Sequence, residues 1–271
     1  MPADSNDDVH PSRHNGLRAT IERGGVALGV LDDTDSPELV ELYGDLGFEF
    51  VWHDLEHTGP AAQDARSLAA LLRAADAAGT DLLVRVPTPD PATIRKVLDT
   101  GVRNVLVPRV ETPEEVERAV DAARFSSDGT PGDRGFAFPR ASRWGRLDAA
   151  EYVVTEDREV LIGVMIETPA AVERIEEILA VPELGFVFVG PFDLAAAMGY
   201  PGEVSHPDVE ERVSTVASAT RETDVALGGL AFDDGDAASK IDTGYQVLHV
   251  GSTTAAVIEA LEVWPGRFDN R

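Results

Sequence analysis

Short runs of β-branched and apolar residues alternate with longer amphipathic segments from one end of the chain to the other. The runs Gly25–Leu31, Phe48–Asp54, Leu82–Pro87, Asn104–Val110, Val160–Glu167, Phe186–Gly190, Val225–Ala231 and Gln246–Gly251 read as strands. Helical periodicity covers Pro37–Leu46, Ala61–Ala78, Pro91–Thr100, Pro113–Ala123, Pro169–Leu179, His206–Thr223, Asp236–Thr243 and Thr253–Val263. Several of these helices open on proline, and Gly79, Gly101 and Gly244 sit just past helix ends. Strands this uniformly apolar are buried on both faces, which argues for a parallel sheet wrapped by helices. Eight β/α units in one chain predict a (β/α)8 TIM barrel, a single domain spanning 17–271. An open dinucleotide-binding sheet would place a glycine-rich turn after its first strand; here the chain runs Leu31-Asp32-Asp33-Thr34-Asp35. One connection breaks the rhythm. Ser126 to Leu147 is long and rich in glycine, arginine and aromatics, as functional or mobile loops tend to be.

A barrel of this type builds its active site where strands run out into loops, so side chains there carry the argument. Glu167 ends the fifth strand, and Asp193 follows the sixth. Two carboxylates converging on one mouth, with open positions beside them, suit Mg²⁺ or Mn²⁺. The alternative is that one of them caps the next helix, since Glu167-Thr168-Pro169 also looks like a helix start. Asp54-Leu55-Glu56-His57 ends the second strand. His57 there could be a general base oriented by a carboxylate, or simply a surface histidine. Arg85 closes the third strand within an apolar run and needs a partner, either the substrate or an internal ion pair with Glu167 or Asp54. His53 points to the other side of its strand and reads as packing or support. His249 reads as structural, and His206 as a helix-start residue. Arg143 and Trp144 could close over the mouth or bind a neighbouring subunit, and the interface is the preferred reading.

Composition narrows the chemistry. The chain of 271 residues has no cysteine, which removes thiolate nucleophiles and cysteine-ligated zinc. Lysine occurs only at Lys96 and Lys240, both inside helical patterns, so a Schiff-base lysine at a strand end is missing. The 49 acidic residues against 23 basic ones leave a net charge of −26, which repels nucleic acid and anionic membranes. Such an excess, spread over helix faces, reads as adaptation to a high-salt cytoplasm; a merely acidic protein is the other possibility. No apolar run reaches the roughly 18 residues of a membrane span. Residues 1–16 are polar and acidic without a signal pattern, and are expected to be loose, with the protein cytoplasmic.

These residues together resemble the HpcH/HpaI family of metal-dependent (class II) pyruvate aldolases, which includes hydroxy-oxo-heptanedioate aldolase and dehydro-deoxy-glucarate aldolase. The resemblance runs from about Gly25 to Leu261. It is carried by Asp54-Leu55-Glu56-His57, Val84-Arg85-Val86-Pro87, Val105-Leu106-Val107-Pro108, Arg140-Ala141-Ser142-Arg143-Trp144, Ile166-Glu167-Thr168 and Val189-Gly190-Pro191-Phe192-Asp193-Leu194. Each segment is weak alone, but all six in this order are specific. The resemblance implies that Glu167 and Asp193 hold a divalent ion, Mg²⁺, Mn²⁺ or Co²⁺. It implies that Arg85 stabilises the enolate of pyruvate, and that main-chain groups of Gly190, Pro191, Phe192 and Asp193 bind the carboxylate. His57 would be the base, oriented by Asp99, with Asp54 in the same polar shell. It further implies a homo-oligomer, a hexamer or trimer of dimers, made by exchange of the last helix. Met165 stands where the family often has glutamine, Phe192 where a small residue is common, and Leu55 where glycine is usual. The expected activity is reversible cleavage of a 2-keto-3-deoxy or 4-hydroxy-2-oxo acid to pyruvate and an aldehyde. The alternatives are a citrate-lyase-β-type acyl-coenzyme A lyase, an oxaloacetate decarboxylase, and a barrel that has lost turnover.

Overall fold

The computed structural model describes residues 14–59, 61, 64–127 and 129–267. Eight parallel strands form a closed barrel: β1 (Ala27–Asp32), β2 (Phe50–Asp54), β3 (Asp81–Arg85), β4 (Asn104–Val107), β5 (Leu161–Ile166), β6 (Phe186–Val189), β7 (Ala226–Leu230) and β8 (Tyr245–Ser252). Their order around the barrel is sequential, with β8 closing on β1. This is the TIM barrel that the eight-unit rhythm predicts. The helices facing solvent begin with α1 (Gly16–Glu22), α2 (Pro37–Asp45), α3 (Ala65–Ala78), α4 (Pro91–Asp99), α5 (Pro113–Ala123) and α6 (Ala149–Glu159). They continue with α7 (Pro169–Glu173), α8 (Ile175–Leu179), α9 (Pro191–Ala197), α10 (Pro207–Thr220), α11 (Asp234–Asp242), α12 (Thr253–Leu261) and α13 (Val263–Gly266). Proline occupies the first turn of α2, α4, α5, α7, α9 and α10, where no main-chain donor is needed.

Two cores result. One lies between strands and helices and is built from Val, Leu, Ile and Ala. The other fills the barrel and holds Phe50, Trp52, Leu83, Leu106, Met165, Phe186 and Phe188. Glycine in the strands makes room for these rings. A Cβ built at Gly29 would lie 2.1 Å from the Phe50 ring, and one at Gly163 would lie 2.1 Å from the Phe186 ring. The lower interior is thus interlocked, ring into glycine, as close packing requires.

The structure departs from the sequence reading in several places. The helix expected over Pro169–Leu179 is broken at Arg174 into α7 and α8. The helix expected from Ala61 starts at Ala65 on an Asp64 cap, and residues 62 and 63 lie outside the described residues. Helix α6 was not expected, because its buried face is Tyr152, Glu156 and Glu159 instead of an apolar stripe. Its charges are matched internally: Glu156 takes Arg103 at 2.7 Å and Arg134 at 3.0 Å. Of the N-terminal segment expected to be loose, residues 1–13 lie outside the described residues. Its end is ordered. Asn15 is buried, caps α1, and donates to Asn104 (2.7 Å) and to the Glu159 carbonyl (2.8 Å). Helix α1 then places Leu17 in the barrel-filling core.

The connection from Ser126 to Leu147 joins the end of α5 to α6 and the start of β5, so it lies at the N-terminal end of the strands. Arg143 and Trp144 therefore cannot close over the mouth of their own barrel. Trp144 is exposed there, and both residues have positive φ, which a constrained turn imposes.

Candidate active site

The C-terminal strand ends bring together Asp54, Glu56, Arg85, Glu167 and Asp193. Asp54 is the last residue of β2 and Arg85 the last of β3, and the register pairs them directly. Arg85 donates from Nε to Asp54 Oδ1 (2.8 Å) and from Nη2 to Oδ2 (2.7 Å). Asp54 also accepts the main-chain N–H of Glu56 (2.9 Å) and of His57 (3.3 Å), which ties the loop to the strand end. Burial pushes the Asp54 carboxyl up, but the hydrogen bonds and charge of Arg85 outweigh it and hold the group below the ordinary carboxylate range. The guanidinium lies 5.2 Å from the Trp52 ring centre, and Nη1 reaches Met165 Sδ at 3.7 Å. Met165 thus meets Arg85 with a soft, weak acceptor. Of the two partners offered by the sequence, Arg85 takes Asp54. Its Nε also lies 3.3 Å from Glu56.

Glu167 follows β5 and is buried. Its Oε1 accepts the main-chain N–H of Arg109 at 2.6 Å, and Arg109 holds that donor in place with φ at 55°. Burial, opposed by the Arg109 N–H and reinforced by Asp193 and Glu56, pushes the Glu167 carboxyl up to about 7. Glu56 is raised in the same direction, first by burial, with Arg85 and His57 opposing and Asp54 and Asp193 adding. The strand end is crowded with negative charge. Gly190 keeps it accessible: a Cβ there would lie 2.9 Å from Glu167 Oε2. Asp193 stands in the first turn of α9, whose Gly190 cap offers no side-chain bond. Phe192 is half exposed, with its ring edge-on to Phe232 at 6.0 Å, so it lies beside the mouth.

These carboxylates fit a hard divalent cation, which would relieve their mutual repulsion. Among the described residues no three histidine or carboxylate groups are already gathered at a metal-binding spacing. Glu167 and Asp193 would leave most of the coordination shell to water and substrate, as magnesium sites commonly do.

His57 is largely exposed, with Nε2 3.6 Å from Glu56. Glu56 therefore lies against both the cation Arg85 and the imidazole. Asp99 does not. It is the last residue of α4 and leads into β4 from the N-terminal end of the barrel. Its charged neighbours are Arg134, Lys96, Arg95 and Glu156, and its carbonyl accepts from Ala141. Within one chain Asp99 cannot orient His57; a helix end and a strand end lie on opposite faces of a β/α unit. His53 faces the helix layer, buried, with Nδ1 3.5 Å from Asp35.

Three contributors were not legible as such: the Arg109 main chain, and Trp52 and His249 below Arg85. Only the positive φ of Arg109 marks the first, and no sequence pattern encodes it.

The chain matches the family model described as HpcH/HpaI aldolase/citrate lyase over residues 31–260. It is 34% identical over 241 residues to a protein of Roseovarius nubinhibens named hydroxypyruvate/pyruvate aldolase, covering 89% of this chain and 91% of that one. It is 33% identical over 243 residues to the 5-keto-4-deoxy-D-glucarate aldolase of Salmonella paratyphi C, covering 89% and 92%. A crystal structure of an HpcH/HpaI aldolase/citrate lyase family protein from Burkholderia cenocepacia J2315 superimposes with a TM-score of 0.86 at 31% identity, covering 93% of this chain and 98% of that one. With its barrel, its strand-end carboxylates and these matches, the chain belongs to the HpcH/HpaI aldolase/citrate lyase family.

Proposed function

We propose that this chain is a class II carbon–carbon lyase that reversibly cleaves a 4-hydroxy-2-oxo acid, including 2-keto-3-deoxy acids, to pyruvate and an aldehyde. The observation that carries this reading is one strand-end group: buried Glu167, Asp193 beside it, and Arg85 held rigidly by Asp54. Glu167 and Asp193 would hold a divalent ion, Mg²⁺, Mn²⁺ or Co²⁺. When bound, such an ion supplies Lewis-acid polarisation of the keto group.

The chain's own groups do the rest. With Nε and Nη2 fixed on Asp54, Arg85 has Nη1, met among the described residues only by the weak acceptor Met165 Sδ, for the oxygen on which negative charge develops. His57 takes the proton of the 4-hydroxyl, directly or through a water, as the C3–C4 bond breaks and the aldehyde carbonyl forms. The electron pair left on C3 is spread into the keto oxygen, and the proton taken up by His57 is returned, directly or through the same water, to C3 to complete pyruvate. Glu56 lies between Arg85 and His57, 3.3 Å from the guanidinium and 3.6 Å from the imidazole. The main-chain N–H groups of Phe192 and Asp193, in the first turn of α9, would receive the substrate carboxylate, since Gly190 donates to Ile166 and Pro191 has no N–H. A coupled assay for pyruvate tests the reading: activity should vanish on chelation, return with Mg²⁺ or Mn²⁺, and fall in Glu167→Ala. Full activity in excess chelator would exclude it.

We also place self-association here, as a hexamer or trimer of dimers with the last helix exchanged. Support comes from α12, where Val257, Ile258 and Leu261 are exposed, and from Leu42 on α2, Leu46 just past its end and Ile241 on α11, exposed as well. In a barrel those two helices flank the place of the last one. Sedimentation of the full chain and of Ile258→Asp would test this: a wild-type monomer would exclude it.

A further inference from the structure

A cavity of about 330 Å³ lies outside the barrel wall, between α10 and α11 and over β7. Small-molecule sites begin at roughly this size, near 300 Å³. Gly229 of β7 helps to make it. No side chain fills the space there, and the Tyr245 ring lies so close that a Cβ would be 2.8 Å from Cε1. One end of the cavity is Val189 and Pro191, the last residue of β6 and the first of α9. The cavity is therefore behind the segment that carries Asp193, and apart from the mouth.

Tyr245 is the sign of a ligand. It is 5% exposed and lines the cavity, yet its hydroxyl makes no hydrogen bond among the described residues. Buried hydroxyls normally have a partner. The charges that act on this one are Asp236 and Arg221, both in the cavity wall, so the hydroxyl faces the cavity. Burial, with Asp236 adding and Arg221 opposing, pushes the phenol up to about 12, and it keeps its hydrogen.

The charged part of the wall has donors to spare and few acceptors. Asp236 is already engaged: it accepts from Lys240 and from the main-chain N–H of Phe232 at 2.9 Å. Lys240, one of the chain's two lysines, thereby neutralises the one anion that acts on the Tyr245 hydroxyl. Arg221 donates from Nη1 to the Thr243 carbonyl and from Nη2 to Ser218, at 3.1 Å each. That leaves Nε and a hydrogen on each of the other nitrogens. Glu210, exposed on α10, is the remaining carboxylate of the wall. Val204, Val213, Ala217, Leu230 and Phe232 make the rest apolar. A ligand that fits brings a charged acceptor on an apolar body. A carboxylate meets that need, whereas an ammonium would add donors to donors.

We infer that the cavity between α10 and α11 is an effector site for a small organic acid, its carboxylate received by the Tyr245 hydroxyl and Arg221 and its body lying on Val213, Leu230 and Phe232. A ligand seated there rests against Val189 and Pro191, and Asp193 stands two residues further on in the same turn. Ligand and metal then each change the other's affinity by the same factor. This coupling rests on the reading of Asp193 as a metal ligand; the binding of the acid does not.

The test uses the full-length protein with carbon-13-labelled tyrosine, in molar potassium chloride to screen the net charge of −26. The probes are hexanoate and the neutral hexan-1-ol, and the Tyr245 ring signal is assigned by its loss in Tyr245→Phe. Hexanoate should move that signal saturably. By calorimetry, Arg221→Met should weaken hexanoate binding about 10- to 100-fold, the loss of a charge-assisted hydrogen bond. Mg²⁺ affinity should shift with hexanoate in the wild type and stay unshifted in Arg221→Met. A carboxylate bound at the mouth would act on both proteins alike, so the difference belongs to the cavity. An unmoved Tyr245 signal up to about 10 mM hexanoate, or equal movement by hexan-1-ol, would overturn the inference. Movement of the signal without any change in Mg²⁺ affinity would overturn the coupling. Binding at Tyr245 in a protein that takes up no Mg²⁺ would uphold the cavity and remove the metal reading alone.

Discussion

Arg85 and Asp54 meet across the ends of β3 and β2 as a two-pronged ion pair, with Nε and Nη2 at 2.8 and 2.7 Å from the two carboxylate oxygens. The pair leaves one nitrogen, Nη1, off the carboxylate, 3.7 Å from Met165 Sδ. Removing either partner strands a buried charge. Arg85→Ala should lower kcat by about 10²–10³, and Arg85→Lys should recover little, since an ammonium cannot keep the fork and also reach the substrate. Asp54→Asn should lower kcat as well, by loosening the guanidinium. Steady-state pyruvate release measures all three. Wild-type turnover in Arg85→Lys would refute the orienting role.

Glu167 makes metal binding depend on pH. Its carboxyl, pushed by burial to about 7, is protonated over a wide range in the protein without metal, and a cation must displace that proton. Affinity for Mg²⁺ or Mn²⁺ should therefore rise about tenfold per pH unit up to about 7 and level off above it. The same shift has a sign for stability. The folded state holds a proton that the unfolded state releases near 4.5, so this group makes the metal-free protein less stable as pH rises from there to about 7. Calorimetric titration between pH 5 and 8 checks the first, and melting of wild type against Glu167→Gln checks the second.

Gly190 is held to glycine by its neighbour. A methyl group there would press on Glu167 Oε2 at 2.9 Å and on its Cβ at 3.0 Å. Gly190→Ala should weaken metal affinity by about 10- to 100-fold while the far-ultraviolet circular dichroism stays that of the wild type. Unaltered affinity in a titration would mean that the carboxylate moves aside at no cost.

The lower interior should respond as an interlocked pair. Gly163→Ala alone drives a methyl group into the Phe186 ring, and overpacking of this kind costs about 1–3 kcal/mol or more. Phe186→Leu alone opens a void. The double variant should be more stable than the sum of the two changes predicts, by about 0.5–3 kcal/mol. Chemical denaturation of the four proteins gives the coupling directly, and strict additivity would contradict the packing.

Charge predicts a response to salt. With a net charge of −26, self-repulsion should fall as ions screen it. The melting temperature should climb steadily from dilute buffer to molar potassium chloride. A flat curve would mean that the acidic surface carries no adaptation to salt.

The barrel was legible because each strand is a nearly unbroken apolar run and most helices open on a capping side chain or a proline. Helix α6 was hidden because Glu156, which looks solvent-facing in sequence, is buried between Arg103 and Arg134. The strand-end group was legible in Asp54, Arg85, Glu167 and Asp193, since polar residues ending apolar runs stand out. Asp99 ends a helix that leads into β4, so chain order puts it at the N-terminal face, away from that group; only its resemblance to a family position suggests otherwise. His249 reads as structural in the sequence, and it packs its ring edge-on to Trp52 within the barrel.

Helix α12 shows water the apolar side chains Val257, Ile258 and Leu261, while Leu42 on α2, Leu46 just past its end and Ile241 on α11 stay uncovered. A single folded chain therefore stops short of the burial its own sequence makes available. If copies complete one another there, folding and assembly are linked by mass action, and dilution acts on the protein as a mild denaturant. Its half-life in a working assay would then depend on how much enzyme is added, independently of substrate or metal.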